Sequence, residues 1–257
     1  MSKTAIVWSC AHSCPSVDNE RFSLLGSLIY DIKPDYCIDL GDGADMRSLN
    51  SFDTRYPQKI VSESYERDIE SYNDSQERLR WRFRQNKKRL PNWYGFEGNH
   101  ETRIKTAIAL DPRLEGQKYG VSFSHLQTDT WFNEYHQYAN SAPALYSYDG
   151  VLYGHYLSAG RASVGIAGIH AAHSLVSAVG CSITVGHSHK YSYHYKGSAR
   201  PNPTIGHVVG CFKGKEESWA GQSNAEWRSG VVIKRNIENG VYDHEWVSLK
   251  RLQEIYG

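Results

Sequence analysis

No stretch of this chain approaches the roughly 20 consecutive apolar side chains that cross a bilayer, so no membrane-spanning function is expected. The run from Ala5 to Trp8 soon meets Ser9, Cys10 and His12, too short for the core of a secretory signal, and the expected location is the cytoplasm. Charge of one sign is lacking as well. With 29 Lys and Arg against 28 Asp and Glu, the net charge of +1 provides no global field that would gather a polyanion, and any nucleic-acid affinity must come from a local patch. Cysteine is sparse: the five residues are an odd number with no CxxC spacing, which argues against a disulfide framework and fits a reducing compartment. Cys37 and Cys181 sit within or beside apolar runs and read as small core residues. Repeats, low-complexity tracts and obvious linkers are absent too.

What is present is ordinary globular composition, 40% hydrophobic and 22% charged, in a chain of 257 residues, long enough to bury a sizeable core. One domain over 1–257 is expected, with a helical insertion at about 46–90. Residues 4–8 read as a buried strand, and 20–32 carry apolar residues at helical spacing until Pro34. A second strand over 36–40 runs into Gly41-Asp42-Gly43-Ala44-Asp45. Residues 60–90 are strongly charged, lack Gly and Pro, and predict one or two exposed helices. A third strand at 93–96 leads to Gly98-Asn99-His100-Glu101 and a helix ending near Pro112. Loops and a short helix are expected over 113–142. Asp149-Gly150 predicts a tight hairpin between 144–148 and 151–155, followed by an apolar helix over 162–178 and a strand over 182–185. The remainder reads as strands over 190–195, 204–211, 229–235 and 241–248. A βαβ first half and an antiparallel second half predict an α/β fold, a four-layer αββα sandwich of two mixed sheets flanked by helices.

Four short motifs share one placement, each directly after an apolar strand: Cys10-Ala11-His12, Gly41 to Asp45, Gly98 to Glu101, and Gly186-His187-Ser188-His189. A lone Gly-Asp is ordinarily a turn and a lone Asn-His-Glu a helix cap. Repetition at strand ends gives them joint meaning, because imidazoles, carboxylates and amides on loops at one sheet edge can converge on one point. That donor set suits intermediate divalent ions such as Mn, Fe, Zn or Ni.

In this order the motifs resemble the calcineurin-like metallophosphoesterases, whose pattern is DxH, GDxxD, GNH[D/E], a lone His and GHxH, and the resemblance runs over roughly residues 4–250. It is nearest to the phage-type and bacterial members, through Thr102-Arg103, Gly210-Cys211 and Trp227 to Gly230. It differs from the Ser/Thr protein phosphatase branch, since Met46-Arg47 follows Asp45 and Gly-His-x-His replaces Arg-Ala-His. The resemblance implies two divalent metals: Asp42 bridging, His12 and His189 in one sphere, Asn99 and His187 in the other, with Cys10 a further candidate ligand at the position of the family's first Asp. The lone His is read as His155, with Tyr153 as the alternative alignment and His170 and His173 as rivals on the apolar helix. It further implies hydrolysis of a phosphate ester by metal-activated water, with His100 as general acid, Asp45 as the neighbour keeping it protonated, and Arg103 as a phosphate contact.

Cys10 stands where the family has Asp. A thiolate suits Zn or Fe better than Mn or Mg, so a soft-metal site, a weakly held second metal and a catalytically dead relative are all open. The basic stretch Arg78, Arg80, Arg82, Arg84, Lys87, Lys88 and Arg89 contains no acid and is interleaved with Trp81 and Phe83. It could track a nucleic-acid backbone, although a solvated helix face with inward aromatics is the plainer reading. A phosphodiester in nucleic acid or a nucleotide is the first expectation for the substrate. A small-molecule phosphomonoester is the second, and a scaffold that binds a protein partner is the rival.

Overall fold

The computed structural model describes residues 2–50, 63–139, 142–158, 164–197 and 203–257. Residues 51–62 of the insertion expected at about 46–90 lie outside the described residues, as do residues 162–163 at the start of the expected 162–178 helix.

In chain order the elements are β1 (Lys3–Trp8), α1 (Glu20–Ile32), β2 (Tyr36–Asp39), α2 (Tyr65–Gln85), β3 (Asn92–Phe96), α3 (Thr102–Leu110), α4 (Thr128–Trp131), β4 (Glu134–His136), β5 (Tyr146–Tyr148), β6 (Val151–Gly154), α5 (Ala171–Val179), β7 (Ser182–Val185), β8 (Tyr191–Lys196), β9 (Thr204–Val209), β10 (Gly230–Glu238), β11 (Val241–Ser248) and α6 (Leu249–Tyr256). They make two mixed sheets, ordered β11-β10-β1-β2-β3-β4 and β5-β6-β7-β9-β8. Strands β1 to β4 are parallel, as are β6, β7 and β9, while β10, β11, β5 and β8 add antiparallel edges.

The continuous apolar run of β1 follows from burial on both faces. Ile6 and Trp8 join the layer beneath α1, α2 and α6, while Ala5 and Val7 join the layer between the sheets. A third apolar layer seats α5 on the second sheet through Leu175, Val176, Ile183 and Val208. The four-layer αββα arrangement expected from the sequence is therefore the arrangement observed.

Several local expectations need correction. Residues 65–85 form one helix, capped by the Ser64 hydroxyl accepting from the Arg67 amide, and it is not simply an exposed element. Tyr72, Leu79 and Phe83 pack inward, and a Cβ at Gly26 of α1 would lie 2.7 Å from the Leu79 carbonyl, so the two helices cross in close contact. The basic stretch does not form one cationic stripe, because positions two apart on a helix lie on different faces. Arg80 is buried over the Trp93 ring at 4.0 Å, Arg78 pairs with Asp74, Arg84 pairs with Glu77, and Arg82 covers Tyr30. Lys87, Lys88 and Arg89 are exposed. The apolar helix begins only at Ala171, since Gly165 and Gly168 precede it and Gly168 has a φ of +93°. Within 113–142 the parallel edge strand β4 was not anticipated, nor was α6 after β11.

The inter-sheet layer also holds a lysine without a carboxylate partner among the described residues. Lys234 on β10 is fully buried, donates to Thr184 Oγ1 at 2.6 Å and Tyr153 OH at 3.3 Å, and lies 4.0 Å from the Tyr242 ring centre. Burial holds its amine well below the ordinary lysine pKa of about 10.4. Between the depressed folded value and about 10.4 the unfolded chain binds the extra proton, so this residue's contribution to stability improves as pH rises through that window. Denaturant titrations of wild type and Lys234→Met should therefore diverge in the wild type's favour by up to about 1.4 kcal/mol per pH unit inside the window. A difference that stays flat from pH 7 to 10 would show that the folded amine keeps its proton across that range and is not depressed as described.

Candidate metal centre

The four motifs, joined by His155, occupy loops at the carboxyl ends of β1, β2, β3, β6 and β7, where parallel strands open a crevice. Backbone pairing continues past the strands and ties the first two loops together: Cys10 N–H donates to Gly41 O (2.9 Å), His12 N–H to Asp42 O (2.8 Å) and Ser13 N–H to Gly43 O (2.7 Å). Two glycines permit the closest approaches. A Cβ at Gly98 would stand 2.2 Å from Asp42 N, and one at Gly186 would stand 1.8 Å from Ser9 Oγ, so neither position admits a side chain.

Five of the residues singled out as ligands, Cys10, His12, Asp42, His187 and His189, adopt left-handed backbone with φ between +48° and +65°. Non-glycine residues rarely do so, and clustering of this conformation at one place is characteristic of sites that hold side chains in imposed directions.

Those directions converge. His12 Nε2 and His189 Nε2 are 3.1 Å apart. His155 Nε2 lies 3.0 Å from Asn99 Oδ1, 3.1 Å from His187 Nδ1 and 3.3 Å from Asp42 Oδ2. Asp42 Oδ2 is also 3.9 Å from His12 Nε2, so one carboxylate oxygen faces both imidazole groups. Among the described residues, Cys10 with His12 and His189, and Cys10 with Asp42 and His155, each bring one ligand atom per residue within 4.8 Å of one another. His155 occupies the position read from the sequence as the lone His. Tyr153, its alternative, turns its hydroxyl to Lys234 between the sheets, and His173 rests against His194 of β8 while His170 stands at the residue before α5 without a side-chain cap.

The surroundings fix which nitrogen is offered. His155 Nδ1–H donates to the Leu40 carbonyl at 2.8 Å, and His12 Nδ1–H to Asp45 Oδ1 at 3.2 Å, leaving both Nε2 lone pairs aimed inward, the arrangement by which outer partners orient metal-binding imidazoles. Burial first, then neighbouring cationic groups, lower His12 and His187 to about 4 and His189 to about 2. These rings are neutral at ordinary pH, as ligation requires. Burial lowers His155 too, but the Asp42 carboxylate outweighs it and raises its pKa overall. Burial likewise pushes Asp42 up and is outweighed by His155 and His100. A pocket of convergent lone pairs around one buried carboxylate calls for positive charge, and a divalent cation fits the donors present. Burial, then Asp42, push the Cys10 thiol well up, so a cation would have to displace its proton.

Asp45 and His100 sit at the rim. His100 Nδ1 meets Asp45 Oδ1 at 2.9 Å and the Asp45 carbonyl at 2.8 Å, while Arg47 Nε donates to Asp45 Oδ2 at 2.6 Å. Burial raises Asp45, but hydrogen bonds from His100 and His12 outweigh it and hold the carboxyl far below the usual range. Arg103 donates to the Asp45 carbonyl at 2.8 Å and approaches His100 Nε2 at 3.3 Å, so it contacts the imidazole directly.

Glu101 was read from the sequence only as part of a motif, yet it clamps the second and third loops. Its buried carboxylate accepts from Gly98 N (2.8 Å), Asp42 N (3.1 Å) and Ala44 N (2.9 Å). Burial, then the Asp42 charge, push it to about 7, against the three donors. Lys213, paired with Glu217 at 2.9 Å, was not anticipated, and Trp227, read from the sequence only within the Trp227 to Gly230 motif, sets its ring 4.4 Å from His189. Nothing in the local sequence distinguishes Lys213. Glu101→Ala strands three buried amides and should cost about 3 kcal/mol. Zinc affinity measured by equilibrium dialysis should fall with it, and unchanged stability and affinity would contradict the clamp.

No protein-family model and no curated protein matches the chain. Among solved structures it is similar to a conserved uncharacterized protein, a predicted phosphoesterase, from Streptococcus pneumoniae, with 9% identity, a TM-score of 0.39, and coverage of 97% of this chain and 91% of that one.

Proposed function

We propose that this protein is a metal-dependent phosphoesterase with two divalent ions, acting on a phosphodiester in nucleic acid or a nucleotide. The observation that carries the reading is the placement of Asp42 Oδ2 between His155 Nε2 (3.3 Å) and His12 Nε2 (3.9 Å), a position from which one carboxylate oxygen can serve two neighbouring cations. His12, His189 and Cys10 would hold one ion, and Asn99, His155 and His187 the other. Such a pair supplies Lewis acidity toward a phosphoryl oxygen and lowers the pKa of water. The thiol favours Zn or Fe over Mn.

The chain's own residues supply the rest. Asp45, held ionised, fixes the Nδ1 proton of His100 and so leaves Nε2 as the nitrogen that faces a leaving oxygen. Arg103 Nη2 lies 3.3 Å from that nitrogen, so the leaving oxygen takes the guanidinium's place there: His100 in its doubly protonated form gives up the Nε2 proton and keeps the one on Nδ1, and the displaced guanidinium offsets charge on the phosphoryl group. The resemblance to bacterial phosphoesterases favours a diester over a small phosphomonoester, and the exposed Lys87, Lys88 and Arg89 offer a nucleic-acid chain a modest electrostatic contact.

Hydrolysis of bis-p-nitrophenyl phosphate and of p-nitrophenyl phosphate, each with Zn, Mn or Ni, tests this. The diester should be cleaved faster, Asp42→Ala should fall to background, and Cys10→Asp should move the preference toward Mn. Absence of hydrolysis with every metal, with Asp42→Ala indistinguishable from wild type, would favour a non-catalytic scaffold built on the same fold.

A further inference from the structure

Beside the centre, on the His155 and His187 flank, lies a phenol that no part of the foregoing mechanism uses. Tyr138 follows β4, and its backbone is pinned to the loop carrying the Asn99 motif. Its N–H donates to Glu97 Oε2 at 2.7 Å, Glu97 N–H donates to the His136 carbonyl at 2.9 Å, and Lys105 pairs with the same Glu97 oxygen at 2.7 Å. The ring stands edge-on to Tyr156 at 6.3 Å, and Tyr156 lies 4.8 Å from the His187 ring and 5.7 Å from His155. Tyr138 is thus one ring removed from two of the proposed ligands.

The Tyr138 hydroxyl oxygen is buried and has no hydrogen-bond partner among the described residues. The Tyr156 side chain is close enough to act on it without reaching hydrogen-bond geometry, and Asp42 is the foremost charge it feels. Burial, then that charge, raise the phenol's pKa, so the group keeps its proton and remains a donor. A rigidly mounted donor one ring from the proposed ligands, with no acceptor in hydrogen-bond geometry among the described residues, is suited to an oxygen that arrives with the substrate.

We infer that Tyr138 is a substrate-binding residue whose hydroxyl donates to a non-bridging oxygen of the phosphoryl group on the His155 and His187 side. The assignment rests on the phosphoesterase reading above. A non-bridging oxygen gains negative charge whatever group departs, so the contribution is independent of the leaving group.

The test compares wild type with Tyr138→Phe on bis-p-nitrophenyl phosphate and diphenyl phosphate, alongside inhibition by inorganic phosphate, bound metal and melting temperature. The expected result is about a tenfold loss of kcat/KM on both diesters and phosphate inhibition weakened by a similar factor. Metal content should be unchanged, and the melting temperature equal or higher because an unpaired buried hydroxyl has been removed. Unchanged kinetics would overturn the inference and leave the phosphoesterase reading intact. A lowered melting temperature with kinetics intact below it would make the hydroxyl structural. Loss confined to diphenyl phosphate would move it to the leaving oxygen, against the assignment. A wild type inactive on both diesters with every metal would instead overturn the phosphoesterase reading, and this inference with it.

Discussion

The fold around the crevice depends on how the buried Asp42 carboxylate is held. Its Oδ1 accepts the His100 amide at 2.9 Å, its Oδ2 faces the two imidazole groups, and its own amide is held by Glu101. Those links tie the loop after β2 to the loops after β1 (His12), β3 (His100 and Glu101) and β6 (His155), so the position of one residue sets their spacing. The left-handed residues show the cost of the arrangement. Five non-glycine positions at about 1 kcal/mol or more each are sustained because loop-to-loop hydrogen bonds and two glycine contacts leave the backbone no other path.

Electrostatics follows from the same geometry. Burial drives the imidazoles toward neutrality, while a few carboxylates resist it, and the two tendencies sort the histidines into roles. His12, His187 and His189 lose their protons readily, His155 is drawn toward positive charge by Asp42, and His100 is set in place at the rim by its Nδ1 contact with Asp45. Asp45 links the rim to the interior because its Oδ1 is shared between His100 and His12. A change at the rim is therefore felt at an interior nitrogen through a single carboxylate.

Much of this was legible in the sequence. The strand-then-motif repetition located every loop, because strands buried on both faces are written as short apolar runs and the glycines after them can only be turns. His155 was legible from its place at the end of β6, and the two-layer sheet arrangement from the change between winding and hairpin patterns. Other features were not legible. Glu101 looks like any helix-start acid until its carboxylate is seen between two loops 59 and 57 residues from Asp42 and Ala44. The basic run concealed Arg80, since alternating charges do not reveal which one a helix turns toward Trp93. Over residues 164–170 the expected helix is absent because apolar composition does not outweigh Gly165 and Gly168, and the backbone obeys the glycines.

Anomalous X-ray diffraction from crystals grown with zinc tests the central claim most directly, namely that distant loops build one cation pocket. The account predicts scattering peaks on both sides of Asp42 Oδ2, with Cys10 Sγ at about 2.3 Å and imidazole nitrogens at about 2.0–2.1 Å. Zinc found only at surface histidines such as His173 and His194, with the crevice between Asp42, His12 and His155 empty under saturating metal, would contradict it.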